Sequence, residues 1–241
     1  MLDREKIRLF VDAPLGAGQS IDLTRDQANY LFAVMRLKPG ARLALFNRRD
    51  GEHTAEIAEG SKRGGTLTCL GPSAPQMNPP DLWLLFAPIK KARTDFIVEK
   101  ATEMGAARIM PVTTDFTNSE RIKRERLQAH AVEAAEQCGG TFVPEVAGLT
   151  KLEALLTNWP EERKLMFCDE TRAGEGLGLA GEREEKWAIL IGPEGGFSEA
   201  ERARLRGLAA ARPVSLGPRI LRADTAAVAA LTLWQNALGD W

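Results

Sequence analysis

The chain has little of what metal, disulfide and membrane chemistry require. Its three cysteines, Cys69, Cys138 and Cys168, are odd in number and far apart. They form no C-x-x-C pair and no disulfide framework, which fits a reducing compartment. With only His53 and His130, no metal-ligand spacing appears and no metal is expected. No apolar run approaches the ~20 residues that span a bilayer, and the charged start Met1-Leu-Asp-Arg-Glu-Lys6 does not read as a signal peptide. Cytoplasm is the expected location. A positive balance is also missing: 32 Lys and Arg against 33 Asp and Glu leave a formal charge of −1. That argues against a large non-specific grip on nucleic acid, so any such surface must be a local patch.

What the chain does have is glycine and proline at telling places. Trp187-Ala-Ile-Leu-Ile191 is a short apolar run, the pattern of a strand buried on both faces of a parallel sheet. Gly192-Pro-Glu-Gly-Gly196 breaks it, and Ser198-Glu-Ala-Glu201 is a capping box that opens a helix. Strand, glycine turn and helix make the kind of unit whose turn binds ligands at the carboxyl end of a strand. The spacing is neither the dinucleotide fingerprint nor a P-loop. A tight turn with no ligand is the alternative. A second unit follows: strand Pro213-Val-Ser-Leu216, turn Gly217-Pro218, loop Arg219-Ile-Leu-Arg-Ala-Asp224, then an alanine-rich helix from Thr225 to about Leu238 with Asp224 as N-cap.

Along the chain, the first part reads as short strands with close turns. These are Ile7–Val11, Ser20–Leu23, Arg42–Phe46, Thr54–Ile57 and Thr66–Leu70, with a capped helix after Thr24 ending near Arg36 and a turn at Gly64-Gly65. The pattern suggests a small β-barrel spanning 1–71. Residues 72–80 hold four prolines with Gly71 before them, a stiff linker and the expected boundary. From 81 to 241 strands alternate with helices, which argues an α/β domain with a mostly parallel sheet and helices on both faces. Its expected pieces include strands at 82–87, 109–112, 143–146 and 164–168. The expected helices lie at 94–104, 121–137 and, capped by Thr150-Lys-Leu-Glu153, to Asn158.

Ile191-Gly-Pro-Glu-Gly-Gly-Phe-Ser198 and Leu216-Gly-Pro-Arg-Ile-Leu-Arg-Ala-Asp-Thr-Ala226 resemble the two signatures of the RsmE-type ribosomal RNA methyltransferases of the SPOUT class. Phe96-Ile-Val-Glu-Lys-Ala-Thr-Glu-Met-Gly105 and Val132-Glu-Ala-Ala-Glu-Gln-Cys-Gly139 match as well, so the resemblance covers most of the chain. Gly140 stands where the family commonly has Arg, and Asp224 where it often has Glu. The resemblance implies a trefoil-knotted α/β domain behind a PUA-like barrel, S-adenosylmethionine as methyl donor, and N3 of a uridine in small-subunit (16S) ribosomal RNA as acceptor. It also implies a homodimer. Alternatives are ribose 2′-O-methylation, which the family's relatives mark with a different stretch before the last helix, and a non-catalytic RNA-binding module for ribosome assembly.

By the same resemblance the adenosyl group lies in the loops after Cys168, at 191–197 and at 216–222. Leu190, Gly192, Gly195, Gly196, Leu216, Gly217 and Leu221 would meet it, and Ile191 and Ile220 would wall the adenine. Methyl transfer from a sulfonium needs alignment above all, and no metal or protein nucleophile. The uracil N3 proton must leave, so charge stabilisation and a base are the roles to fill. Arg222 is the candidate to stabilise a carbonyl oxygen. Glu194 is the first candidate base and Asp224 the second. Arg219 would aid the charge or hold phosphate. For RNA, Lys90, Lys91 and Arg93 resemble a substrate-facing segment of the family. Arg121 and Arg124 belong to a basic cluster at a helix start, and Arg8 and Arg36 are candidates for the barrel's RNA side.

Overall fold

The computed structural model describes residues 5–119, 121–169, 179, 181, 183 and 185–241. The chain divides into two compact units, Met1–Asn78 with Ala135–Val143, and Pro79–Ala134 with Pro144–Trp241. The expected division differs at two points. Residues 135–143 count with the first unit, and the expected linker begins too early, because a strand runs on through Pro72 to Ala74. Proline lacks the N–H that a ladder uses and is tolerated beside irregularities. Pro72 sits at one: the pairs His53↔Pro72 and Glu52↔Ala74 leave Ser73 as an extra residue in the ladder.

The first unit is built on β1 (Arg8–Phe10), β2 (Ser20–Asp22), β3 (Arg42–Phe46), β4 (Glu52–Ser61) and β5 (Gly64–Ala74). Their order is β1-β3-β4-β5-β2, parallel between β1 and β3 and antiparallel elsewhere. Three register shifts along β4 and β5 add bend and twist, so one sheet can enclose one core. That core gathers Leu9, Ile21, Leu31, Leu43, Leu45, Ile57 and Leu67. Helix α1 (Arg25–Asn29) starts at the expected capping box, Thr24 with Gln27. It continues as one wider turn, Tyr30–Val34, and the chain leaves through Arg36 at φ +57°. The turn expected at Gly64-Gly65 falls instead at Lys62-Arg63, since both glycines pair in the β4–β5 ladder.

The second unit alternates as its sequence does. It runs β6 (Leu82–Phe86), α2 (Lys91–Glu103), β7 (Arg108–Thr113), α3 (Arg124–Cys138), β8 (Glu145–Val146), β9 (Thr150–Lys151), α4 (Leu152–Thr157), β10 (Arg163–Cys168), β11 (Lys186–Ile191), α5 (Glu199–Gly207), β12 (Ala211–Val214) and α6 (Ala223–Leu238). The end of α3, from Ala135, counts with the first unit. The sheet is parallel, in the order β12-β10-β11-β6-β7-β8, and β9 also pairs with β7. Leu84, Leu85, Leu165, Met166, Ala188 and Ile189 are fully buried, as apolar strands covered on both faces must be. The buried face of α6 is rich in alanine, and it packs on α2 and β11. Its end is tied down by Gln235, whose side chain donates to Met104 O at 2.6 Å.

Four helix starts differ from expectation. Helix α2 begins at Lys91 rather than at 94, which puts Lys91 and Arg93 in its first turn. Helix α3 begins at Arg124, leaving Arg121 and Lys123 in the preceding loop. Thr150 caps nothing, because it is drawn into β9, and α4 starts without a side-chain cap. Asp224 is not an N-cap: α6 starts one residue earlier, at Ala223, with Arg222 in the capping position. Of the loop expected between Asp169 and Glu185, residues 170–178, 180, 182 and 184 lie outside the described residues. No helix among the described residues is long and apolar enough to cross a membrane.

Candidate active site

Strands β12, β10 and β11 are parallel neighbours, so their carboxyl ends open on the same edge of the sheet. A cleft lies there, with about 630 Å³ of empty space, open solvent included. Cys168 at the end of β10 and Asp169 after it, Gly192, Pro193, Glu194 and Gly196 of the turn after β11, residues 214–217 and 219–221, and the α6 residues Ala223 and Ala226 line it, with Ile191.

Local chemistry explains the turns. A Cβ at Gly192 would lie 2.8 Å from the Phe197 ring. That ring is fully buried and packs edge-on against Phe167 at 5.2 Å, so it has nowhere to go. Gly217 holds φ +107°, a region that disfavours side chains. Its N–H donates to Ser215 Oγ at 3.3 Å. The start of α5 has the expected capping box, and Asp115 braces it. Ser198 Oγ donates to Asp115 Oδ2 at 2.5 Å, and the Asp115 N–H donates to Glu201 Oε1 at 2.9 Å.

Of the residues singled out for the donor, Ile191, Gly192, Gly196, Leu216, Gly217, Ile220 and Leu221 line the cleft, joined by Glu194 and Arg219. Ile220 is 80% exposed, an apolar lip without cover. Leu190 does not line it. Leu190 is a core residue whose backbone is paired to β10 and β6. Gly195 does not line it either, for a Cβ there would face Phe116 at 3.3 Å. Arg222 is exposed at the α6 cap, outside the lining.

Asp169 is absent from the residues that the sequence singles out, although its side chain is fully buried at the cleft and accepts from Arg206 at 2.5 Å. A lone Asp after a strand carries no signal of burial. Ser215, Ala223 and Ala226 are absent for the same reason: nothing in a small residue announces a lining position. Burial pushes the Cys168 thiol up to about 12, which disfavours the thiolate that a nucleophile needs.

The basic residues separate into groups. Lys90 and Lys91 line a groove that shares Pro193 and Glu194 with the cleft. An adjoining groove takes Lys91 together with Arg121, Lys123 and Arg126. Arg36 is exposed on the first unit. Arg124 lies outside both grooves, its Nε donating to Val146 O at 2.8 Å. Arg8 is a correction. It is buried, paired to Glu52 at 2.7 Å, and donates to the carbonyls of Ala135 at 2.6 Å and Gly140 at 2.6 Å, all in the first unit. Leu9 faces the core of the first unit, so alternation along β1 turns Arg8 to the opposite face, where residues 135–140 cover it and it holds them rather than reaching for RNA. Arg93 is a further departure, since its guanidinium faces Glu194 and Asp224.

A parallel sheet with a glycine-lined cleft at its strand ends, beside a basic groove, defines a class. Residues 76–235 match the model of an RNA methyltransferase domain, and residues 23–68 that of an RNA methyltransferase PUA domain. The ribosomal RNA small subunit methyltransferase E of Rickettsia conorii is 28% identical over 228 residues, 93% of each chain. Its namesake from Synechocystis sp. is 31% identical over 221 residues, 88% of this chain and 71% of that one. A crystal structure of the enzyme of this name from Neisseria gonorrhoeae, bound to S-adenosyl methionine, superposes with a TM-score of 0.88 at 28% identity, covering 98% of this chain and 99% of that one. The chain belongs to the ribosomal RNA small subunit methyltransferase E family.

Proposed function

We propose that this protein transfers a methyl group from S-adenosylmethionine to N3 of a uridine in small-subunit ribosomal RNA, and that it works as a homodimer. One observation carries the reading: the cleft and the groove of Lys90 and Lys91 share Glu194, so an apolar, glycine-turned site adjoins a place for a polyanion. The residues present fit an adenosyl group. Ile191, Leu216, Leu221 and the uncovered Ile220 are apolar walls, and the Gly192 turn has room only for backbone on its Phe197 side. When bound, the donor supplies an electrophilic methyl carbon.

The chain's own residues do the rest. Glu194, paired with Arg93 at 2.9 Å and half exposed at the shared wall, is the acceptor for the N3 proton. Arg222 and Arg219, both exposed on the loop that enters α6, stabilise the charge that develops on the uracil oxygens. Lys90, Lys91 and Arg121 neutralise phosphates.

An N3 methyl blocks the pairing edge of uracil, whereas a ribose methyl leaves it intact. Small subunits from cells lacking the gene, incubated with the protein and donor, should give a strong reverse-transcription stop at one uridine. A mass spectrum showing a 2′-O-methylated nucleotide would overturn the acceptor. Light scattering should give a dimer. The sequence offers Val228, Leu231 and Trp234 of α6 as an apolar face for it. Leu231 and Trp234 are fully buried within the chain, so Val228 and the exposed Trp241 and Ile220 carry that argument. A monomer at working concentration would remove the dimer.

A further inference from the structure

We propose that Arg93 is a positioning residue of the methyl-transfer site, fixing the glycine turn after β11 against the first turn of α6. This rests on the function proposed above. Arg93 Nη1 lies 2.9 Å from Glu194 Oε1, and Arg93 Nε lies 3.7 Å from Asp224 Oδ2. One guanidinium thereby joins three segments far apart in sequence: the start of α2, the turn after β11 and the start of α6. A planar fork of five donors can address two carboxylates along two of its edges, which a lysine ammonium does less well.

The setting favours a role in geometry over one in stability or RNA contact. The side chains of Arg93 and Asp224 are 28% and 20% exposed, while Glu194 is 54% exposed. Pairs so open to water add little to folding. Lys90, Lys91 and Arg93 also stand at the amino end of α2, whose first turn has no acidic residue. Cations there oppose the helix dipole, so the placement is unfavourable by itself. Lys90 and Lys91 meet this by lining the groove, where a polyanion would compensate them. Arg93 meets it with the two carboxylates. Two negative charges around one positive charge also leave Arg93 a poor site for an RNA phosphate. Glu194 belongs to both the cleft and the groove, so an error in its position disturbs donor and acceptor alignment together.

The test uses the full chain carrying Arg93→Met, Arg93→Lys, Glu194→Gln and the Arg93→Met/Glu194→Gln pair. Methylation of small subunits, donor affinity by calorimetry, RNA affinity across salt and the melting temperature are measured for each. Misplacement of a reacting group by about 1 Å can slow turnover by about 100-fold, so Arg93→Met should lower kcat by roughly that factor. Donor affinity, RNA affinity and the salt slope should stay near wild type. Arg93→Lys should recover only part of the loss. The double variant should be no slower than the slower single one, because the two residues act through one contact. If Arg93→Met unfolds, Arg93→Lys and the Glu194→Gln comparison carry the decision. A raised KM with unchanged kcat and a salt slope reduced by about 1 would make Arg93 a phosphate contact and overturn the proposal. Additive losses in the double variant would overturn it as well. Wild-type protein that methylates nothing defeats the proposed function itself, whereas active wild type with an indifferent Arg93→Met defeats only this role.

Discussion

The two ends of the parallel sheet treat arginine in opposite ways. At the amino end Arg163 is 4% exposed, forks onto both Asp81 carboxylate oxygens at 2.9 Å, and donates to the carbonyls of Asp81 at 3.0 Å and Trp187 at 2.9 Å. Its guanidinium lies 3.6 Å from the centre of the Trp83 ring. Burial pushes its pKa down, and Asp81 offsets only part of that. At the carboxyl end Arg219 and Arg222 are exposed on the loop that enters α6. One end buries Arg163 to close the structure, and the other, besides pairing Arg93 and Arg206 with carboxylates, leaves Arg219 and Arg222 exposed near the mouth of a cleft. The division follows from parallel topology, which gathers the strand-to-helix turns at one edge and leaves the other free for packing.

Substitutions can break that contrast. The largest effect is expected for Arg222→Ala. Removing a group that stabilises developing charge lowers kcat by about 10²–10³, while donor affinity and melting temperature hold. Turnover at the wild-type rate would return Arg222 to the role of an ordinary exposed cap. Next comes Arg163→Met at the opposite end. Asp81 is 45% exposed and can rehydrate, so the loss should fall below that of a fully buried pair, at about 2 kcal/mol, or about 5 °C in melting temperature. Donor affinity of the folded variant should be unchanged, and a selective loss of donor binding would show that the two ends are not independent. The smallest effect belongs to Cys168 at the cleft. Its folded value of about 12 lies above the ordinary 9.0, so the unfolded chain gives up this proton first. Stability from this group is present below pH 9 and is lost as the pH rises from there towards 12. Cys168→Ala should flatten that part of the melting curve against pH and leave turnover at neutral pH nearly unchanged. Inactivation of the wild type by a thiol reagent at neutral pH would contradict a protonated, shielded sulfur.

Much of the cleft is legible in the sequence, because its turns carry local chemistry. Gly192, Gly217 and the Ser198–Glu201 box read as strand end, turn and helix start; β11, its turn and α5 form where expected, while the strand before Gly217 ends at Val214, two residues short of the expected Leu216. Asp224 shows the limit. As a polar residue before an alanine-rich run it reads as an N-cap, yet α6 starts at Ala223 and the Asp224 carboxylate faces Arg93. Arg8 and Arg93 show it again from two sides. Both read as RNA contacts in the sequence, and both hold protein carboxylates in the fold, one buried in the first unit and one beside the cleft. A positive charge in a sequence does not say what it will face.

The sequence alone determined the alternation of strands and helices, the sites of the glycine turns, and the family whose signatures they carry. These depend on hydrophobic periodicity, backbone freedom and capping, which act over a few residues. Only the tertiary structure decided the strand order β12-β10-β11-β6, the burial of Asp169 and Arg163, and the meeting of Arg93 with Glu194 and Asp224. Those partners lie about a hundred residues or more from Arg93 along the chain. Contacts across such separations form only when the whole sheet has closed, and no local rule of propensity encodes them.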